Sequence, residues 1–531
     1  MDDLRWYMAP IRTPLNASAA QWAERGLFIL GLAILLHPVL SSRFYQTMDG
    51  PSHLYVASLM KDLWFGYAPA DRLWEINPVP VPNSLGHVLL AFFLIPFEAP
   101  EALKALHVLY MFSIPVLLRL IALQQRHDAP PWSAHLAFPF MVAVPFTMGY
   151  YNLCLGVPLL LAVVWQWKRT ETEPRRKRWF TLAILLVLLY FTHALPYALA
   201  LFWIALHAVR PTLAKLLHGH AISELDMRAF RNVVGAMLPS LVLTAWYLIA
   251  SEPAPPAEEN LALSTRLMQI WRPFIIEKWA PELILWSASV ALLVLVLLKG
   301  IGQRASKGAP SWQSLPGGIF IGTLFLMMLF ADNIYGNGGD VLFRVSYIMH
   351  FTAVMLLSTV LLQARFGLFV STVSIAITTA QMINRQAGRD RLAHIQREAY
   401  EAARAIPPGG TVSIIYFDWE RTHVAELGLS GRNTTILSNY ELTHDHFPLR
   451  FKLEHLQATK ALPQDPLDAF YVYHTNVRGA ELRSSEHVLV VGQPRNLREQ
   501  ELINLLDREL SATHTIGSVQ GLVRVFAQHA L

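Results

Sequence analysis

A polytopic, mostly α-helical membrane bundle with a small C-terminal α+β domain is the fold this sequence predicts. Three observations carry the expectation. Hydrophobic residues make up 53% of the 531 residues and charged residues only 15%, with a mean hydropathy of +0.35. Soluble chains carry about 25% charged residues, so the deficit of charge is the larger departure. The apolar residues are also clustered, and stretches such as 26–40 and 182–190 hold no charge at all. After residue 384 the chain becomes charged and patterned like a soluble domain. This composition excludes disorder, a disulfide scaffold and an ordinary cytosolic enzyme. In lipid every backbone polar group must be bonded internally, which a helical bundle achieves.

Eleven candidate spans follow from the apolar runs: 22–41, 102–123, 134–149, 152–167, 179–194, 196–213, 232–250, 282–299, 317–331, 341–363 and 366–383. Several are shorter than the roughly 20 residues that cross a bilayer core. Short helices packed inside a bundle can line a water-filled cavity. Arg5, Arg12 and Arg25 precede the first run without a cleavage-type site after it, which reads as an uncleaved anchor. The net charge of +5 and pI near 9.2 invite a nucleic-acid reading, which is rejected because the basic residues sit in short loops where they set topology. Lys168, Arg169 and Arg175 to Arg178 mark an inner loop, and counting onward puts the tail outside. Both the first span and 102–123 then meet on the outer side, so 85–97 reads as a re-entrant or outer-leaflet segment, the alternative being a true crossing. The expected division is a transmembrane domain at 1–383, with a first outer loop at 42–83, and a soluble extracytoplasmic domain at 384–531. The site of residence is the inner (plasma) membrane. In the tail, 385–404 reads as a surface helix and 497–510 as an amphipathic one. Strands are expected at 412–417, 469–473, 488–491 and 522–526. The single cysteine, Cys154, leaves no disulfide or cysteine metal site within one chain.

The segment with most chemical content runs Tyr45-Gln-Thr-Met-Asp49-Gly-Pro-Ser-His53-Leu-Tyr-Val-Ala57. Pro51 suits the first position of a helix, and the apolar spacing of Val56, Ala57, Met60, Leu63 and Trp64 indicates an interfacial helix. Asp49 stands beside the positive end of that helix, which favours an ionised carboxylate. Such a group can take a proton from an acceptor hydroxyl or bind a divalent cation, and His53 is near enough to join it. A plain Asp-Gly-Pro turn opening a helix has the same pattern.

Together with Met148-Gly-Tyr-Tyr-Asn152-Leu-Cys-Leu-Gly156, the many short spans and the outside tail, this segment resembles the GT-C superfamily of membrane glycosyltransferases. The resemblance implies a polyprenyl-phosphate-linked sugar donor, an acceptor that is a glycan, lipid or protein, and Asp49 as catalytic base or metal-linked carboxylate. The first loop has no Asp-x-Asp pair and the tail no Trp-Trp-Asp motif, so the metal is left open, with a divalent cation as one option.

Position assigns the remaining candidates. Tyr151 and Asn152 turn between two short spans, as sugar contacts or simply as a hairpin with an interfacial aromatic. His193 sits at another outer turn. Asp332 and Asp340 bound a polar, glycine-bearing loop that runs into Arg344, whose planar fork suits a lipid phosphate. Arg272 and Lys278 are alternative phosphate partners, while His87, His444 and His446 read as packing or solvated loop. A transporter or lipid flippase, or a surface-glycan polymerase or ligase, are the competing function classes. Paired halves with broken helices, usual in secondary transporters, are not seen.

Overall fold

Long apolar runs become helices because a helix bonds its own backbone, and the ends fall where charge, glycine or proline interrupts the run. The computed structural model describes residues 19–66, 73–125, 129–217, 223–251, 262–306, 315–330, 341–417, 422–471, 474–511, 513–520 and 523–529. Its helices are α1 (Ala19–Ser41), α2 (Gly50–Trp64), α3 (Leu85–Phe93), α4 (Ala99–Gln125), α5 (Val144–Thr147), α6 (Tyr151–Thr172), α7 (Arg176–Thr192) and α8 (Ala194–Leu217). They continue with α9 (Glu224–Ala250), α10 (Leu263–Met268), α11 (Trp279–Ser306), α12 (Leu315–Phe330), α13 (Val341–Leu357), α14 (Ala364–Asn384) and α15 (Gln386–Ala405). Among the described residues six helices, within α1, α4, α8, α9, α11 and α14, are long and apolar enough to cross a membrane. The protein is an integral membrane protein.

One apolar run differs from the sequence expectation, and a second, at 85–97, is as short as the re-entrant reading requires. The run at 134–149 is no α-helical span. It is a 3₁₀ helix (Trp132–Phe140) followed by the four-residue α5. Pro131, Pro139 and Pro145 remove donors and fix φ, so a continuous α-helix cannot form. The chain still travels the length of the bundle. His135 lies 3.3 Å from Glu24 near the start of α1, and Met148 accepts a hydrogen bond from Asp49 just beyond its end. Every residue from Trp132 to Ala143 is buried, which is the condition for irregular backbone at membrane depth. The run at 85–97 contains only the nine-residue α3, about 14 Å long at 1.5 Å per residue, against a core of about 30 Å.

The helix expected at the interface is also placed differently. Gly50 to Met60 of α2 are all buried, packed between α3 and α4 on one side and the C-terminal segment on the other. Its polar residues, Ser52 and His53, are therefore enclosed by protein and do not face a headgroup layer.

Past α15 the chain builds a five-stranded sheet from β2 (Thr411–Tyr416), β3 (Thr435–Ile436), β5 (His487–Val491), β6 (His514–Gln520) and β7 (Val523–Gln528), in the order β3-β2-β5-β7-β6. β2 runs parallel to β3 and β5, and β7 runs antiparallel to β5 and β6. Its helices are α16 (Glu426–Leu429), α17 (Leu453–Lys460), α18 (Gly479–Ser484) and α19 (Leu497–Leu510). The Asn496 side chain caps α19 through Glu499 N–H at 2.9 Å, and Ile503, Leu506 and Leu510 pack beneath the sheet. The strand expected at 469–473 is instead a 3₁₀ turn (Pro466–Phe470), begun by the Asp465 capping box, with 472–473 outside the described residues. A two-stranded ribbon joins the first loop to this segment, β1 (Trp74–Ile76) lying antiparallel to β4 (Leu449–Phe451) with Glu75 opposite Arg450. That pair closes as an ion pair at 2.9 Å.

A side chain at Gly367 on α14 would run into the ring of Trp132 in the 3₁₀ run. Gly367→Leu should therefore lower the thermal midpoint in detergent, at a cost of about 1–3 kcal/mol. Gly26→Ala, in open space on α1, should raise it slightly. Equal midpoints for the two variants would show that the 3₁₀ run is not packed as described.

Candidate active site

Asp49 occupies the N-cap position of α2, but its side chain makes no capping hydrogen bond. Main-chain pairing fixes its loop. Met48 N–H donates to Thr147 O at 2.9 Å and Asp49 N–H to Met148 O at 3.0 Å. Gly149 makes this approach possible. Its φ is +87°, and a Cβ there would lie 2.8–2.9 Å from the Gly50 and Asp49 nitrogens. Below the loop, Tyr151 hydroxyl bonds Thr47 Oγ1 and lies 2.6 Å from His107 Nε2. Asn152 ties α6 to α3, accepting from Gly86 N–H at 2.6 Å and donating to Asn83 O at 3.1 Å.

The C-terminal segment closes over α2 with polar groups. Tyr55 hydroxyl donates to Thr434 O at 3.0 Å and accepts from Ile436 N–H at 2.8 Å. Asn439 Nδ2 donates to Ser52 Oγ at 2.8 Å and to Glu426 Oε2 at 2.7 Å. His423 Nδ1 lies 2.6 Å from Glu426 Oε1. His423 has φ +66°, a costly conformation for a residue with a Cβ, of the kind that persists where the surroundings over-determine it. Glu441 lies between two rings, with Oε1 2.9 Å from His53 Nδ1 and Oε2 2.7 Å from His87 Nε2. His53 Nε2 faces Gly149 O at 2.9 Å.

These groups set one another's charge. Burial pushes the Asp49 carboxyl up to about 6, opposed by His423 and His53 and reinforced by Glu441 and Glu426. The sequence expectation of a carboxylate held firmly ionised by the helix end is thus corrected: desolvation outweighs the helix dipole. Burial raises Glu441 too, yet His53 and His87 overcome it and hold that carboxyl well below its usual range. Burial lowers His53 and His423, but Glu441 and Glu426 respectively leave both rings above the ordinary histidine value. For His87 burial prevails and the value falls.

Beside the loop lies a cavity of 1020 Å³. One wall is apolar, from α1 (Ala33, Ile34) and α14 (Met382, Ile383), and Thr47 and Met48 line it immediately before Asp49. Arg272, Arg385, Arg389 and Arg391 also line it, with the carboxylates Glu277 and Asp390 among them. Arg385 is engaged structurally, paired with Glu282 at 2.8 Å and donating to Val142 O and Phe274 O.

No family model matches the chain, and no curated protein matches it. The structure is similar to the crystal structure of ArnT from Cupriavidus metallidurans in the apo state, with a TM-score of 0.54 and 10% identity, covering 95% of this chain and 98% of that one. It is similar also to the same protein bound to undecaprenyl phosphate, with a TM-score of 0.58 and 10% identity over 97% and 99% of the two chains. ArnT is a GT-C glycosyltransferase. The fold is GT-C-like.

Within this GT-C-like frame Asp49 and His53 come together with two groups of the distant tail, Glu441 and His423. Tyr151 and Asn152 are buried and engaged beneath the loop, so they position Asp49 and present no free face to a sugar. Arg344 Nη1 donates to His193 Nε2 at 3.0 Å, and its guanidinium lies 5.3 Å from the Tyr150 ring centroid. Tyr150 lines the cavity, whereas Arg344 does not. Asp332 and Asp340 lie outside the described residues. Sequence reasoning missed Glu441, Glu426 and His423, and it set His87 aside as packing. The His-x-x-Glu spacing of His423 and Glu426 was a readable signal; Glu441 had none. His446 packs on Phe447, with ring centroids 4.6 Å apart, and joins no metal-capable group among the described residues.

The His423–Glu426 pair gives a pH test. A ring whose folded value is raised stabilises the fold fully below its unfolded value, about 6.5, and loses that contribution as pH rises through the folded value. The thermal midpoint of the wild type should exceed that of His423→Gln most at pH 6 and by a shrinking margin toward pH 9 (about the span over which a raised histidine titrates). A margin that is constant or grows with pH would show the ring is not charged in the fold.

Proposed function

We propose that this protein is a membrane glycosyltransferase that moves a sugar from a polyprenyl-phosphate-linked donor to an acceptor hydroxyl on the extracytoplasmic side. The observation that carries the reading is the cavity: apolar along α1 and α14, lined by Arg272, Arg389 and Arg391, and reaching Met48, the residue before Asp49. An apolar channel beside arginines suits a lipid chain with a phosphate head, because a guanidinium gives two parallel bonds to phosphate oxygens. ArnT, of similar fold, has been crystallised bound to undecaprenyl phosphate.

In the proposed reaction Asp49 takes the proton of the acceptor hydroxyl as that oxygen bonds the anomeric carbon. The bond from that carbon to the phosphate oxygen breaks, and polyprenyl phosphate leaves with the electron pair toward the arginines. A carboxyl that protonates at about 6 is poised for this work near neutral pH. His423 and Glu426 position and screen Asp49 from the tail side. We assign the chain from 384 onward as an extracytoplasmic domain that covers the site and meets the acceptor. Arg344, donating to a neutral His193 ring, places a further cation next to Tyr150.

Purified protein given a radiolabelled polyprenyl-phosphate sugar and membrane acceptors should release polyprenyl phosphate. Asp49→Asn should slow this by about 10²–10⁴-fold while undecaprenyl phosphate still binds. Arg272→Ala with Arg389→Ala should instead weaken lipid binding by roughly 10- to 100-fold, the loss of charge-assisted bonds. Wild-type turnover by Asp49→Asn would remove the carboxylate from the mechanism. Ion-driven uptake retained in that variant would favour a transporter.

A further inference from the structure

His53, His87 and Glu441 come from three separate parts of the chain: α2, α3 and the 3₁₀ turn at Glu441–Thr443. Their donor atoms all lie within 4.8 Å of one another, and the residues are 6%, 1% and 0% exposed. The two rings meet at 3.2 Å, His53 Nδ1 to His87 Nε2, with one carboxylate oxygen against each. Among the described residues no lysine or arginine is paired with Glu441.

The outer contacts determine what the centre needs. His53 Nε2–H donates to Gly149 O, so a neutral ring turns the lone pair of Nδ1 onto Glu441 Oε1 at 2.9 Å. That oxygen is buried, and a hydrogen bond to it from this ring requires a proton on Nδ1. With His53 neutral, its Nδ1 lone pair and the Glu441 carboxylate face one another at a point shielded from water, and a cation placed there, proton or metal, relieves their repulsion. One proton can satisfy a single ring. A metal ion satisfies all three donors at once.

We propose that His53, His87 and Glu441 bind one zinc-class divalent ion that fastens the C-terminal segment onto α2 and α3. Two imidazoles and a carboxylate are ligands suited to zinc, whereas magnesium and calcium prefer oxygen donors. Tetrahedral zinc with ligands at about 2.0–2.1 Å sets donor atoms roughly 3.3 Å apart. The present separations of 2.7, 2.9 and 3.2 Å need only small side-chain rotations to reach it. Three protein ligands leave one position for a water.

The surroundings are those of a supported metal site. The Gly149 carbonyl orients His53, as a second-shell acceptor commonly does for a ligating ring. Asn439 Oδ1 accepts from Glu441 N–H at 3.1 Å and holds the turn. The Phe447 ring covers both imidazoles, with centroids 5.8 Å from His87 and 6.3 Å from His53. None of the three residues lines the cavity, and the metal site stands whether or not the proposed reaction is the right one.

Elemental analysis tests it. The full chain, purified in detergent without chelator or metal-affinity resin and dialysed against zinc, should hold about one zinc per chain. Cobalt in its place should give the visible absorption of a tetrahedral site. Glu441→Gln and His87→Asn should each lower zinc affinity by about 10- to 100-fold or more. In the wild type, chelation should speed proteolysis of the 439–447 region and zinc should reverse it, while Glu441→Gln behaves as chelated protein at either condition. Should one variant fail to fold, the other and the chelation experiment still decide. A folded wild type that retains no zinc after dialysis, or variants that hold wild-type zinc, would overturn the proposal.

Discussion

Two main-chain hydrogen bonds, from Met48 to Thr147 and from Asp49 to Met148, are the constraint on which the rest of the site depends. They can form only because Gly149 has no side chain to keep the Asp49 loop away. The pairing fixes where α2 starts, and through α2 it fixes where Ser52, His53 and Tyr55 stand. Each of these three then bonds a different part of the tail. The buried hydroxyl of Tyr151 under the loop adds a polar floor, so the loop is held from below as well as from the side.

The junction between α2 and the tail is filled with ionisable groups, which is an expensive arrangement unless charges are matched. They are matched: Glu441 with His53 and His87, and Glu426 with His423. The matching spends the positive charge of the histidines on Glu441 and Glu426. Asp49 stands in the same enclosure without an ion pair of its own, and for that reason its carboxyl is pushed toward neutral pH. The environment thus divides three carboxylic acids into two that are paired with histidines and one, Asp49, whose carboxyl is raised.

The same accounting explains the cavity side. Arg385 is committed to Glu282 and two main-chain carbonyls, which secures the bend between α14 and α15. The guanidiniums a turn later, Arg389 and Arg391, line the cavity together with Arg272 from a different loop. Arg385 lines the space as well, and Arg389 donates to Met382 O, so the same arginines brace the wall and border the cavity. The 3₁₀ run at Trp132–Phe140 shows the converse rule. Its irregular backbone is permitted because α4, α13 and α14 enclose it completely.

Periodicity and composition determined the helices, because each long apolar run must bond its own backbone in lipid whatever its neighbours are. They determined equally the 497–510 helix and the β-branched strands at 412–417 and 488–491, where the burial pattern is local. They also singled out Asp49 and His53, since proline after Asp-Gly starts a helix by a local rule. What they could not determine was the proline-broken crossing at 132–149, whose hydropathy equals that of a span, or the enclosure of α2, whose apolar face reads the same against lipid as against protein. Glu441 and Arg389 carry no local signal of their role, because charge compensation and cavity lining depend on segments hundreds of residues apart meeting in space. Desolvation and charge pairing are both properties of that meeting, and together they leave Glu441 charged and the Asp49 carboxyl raised.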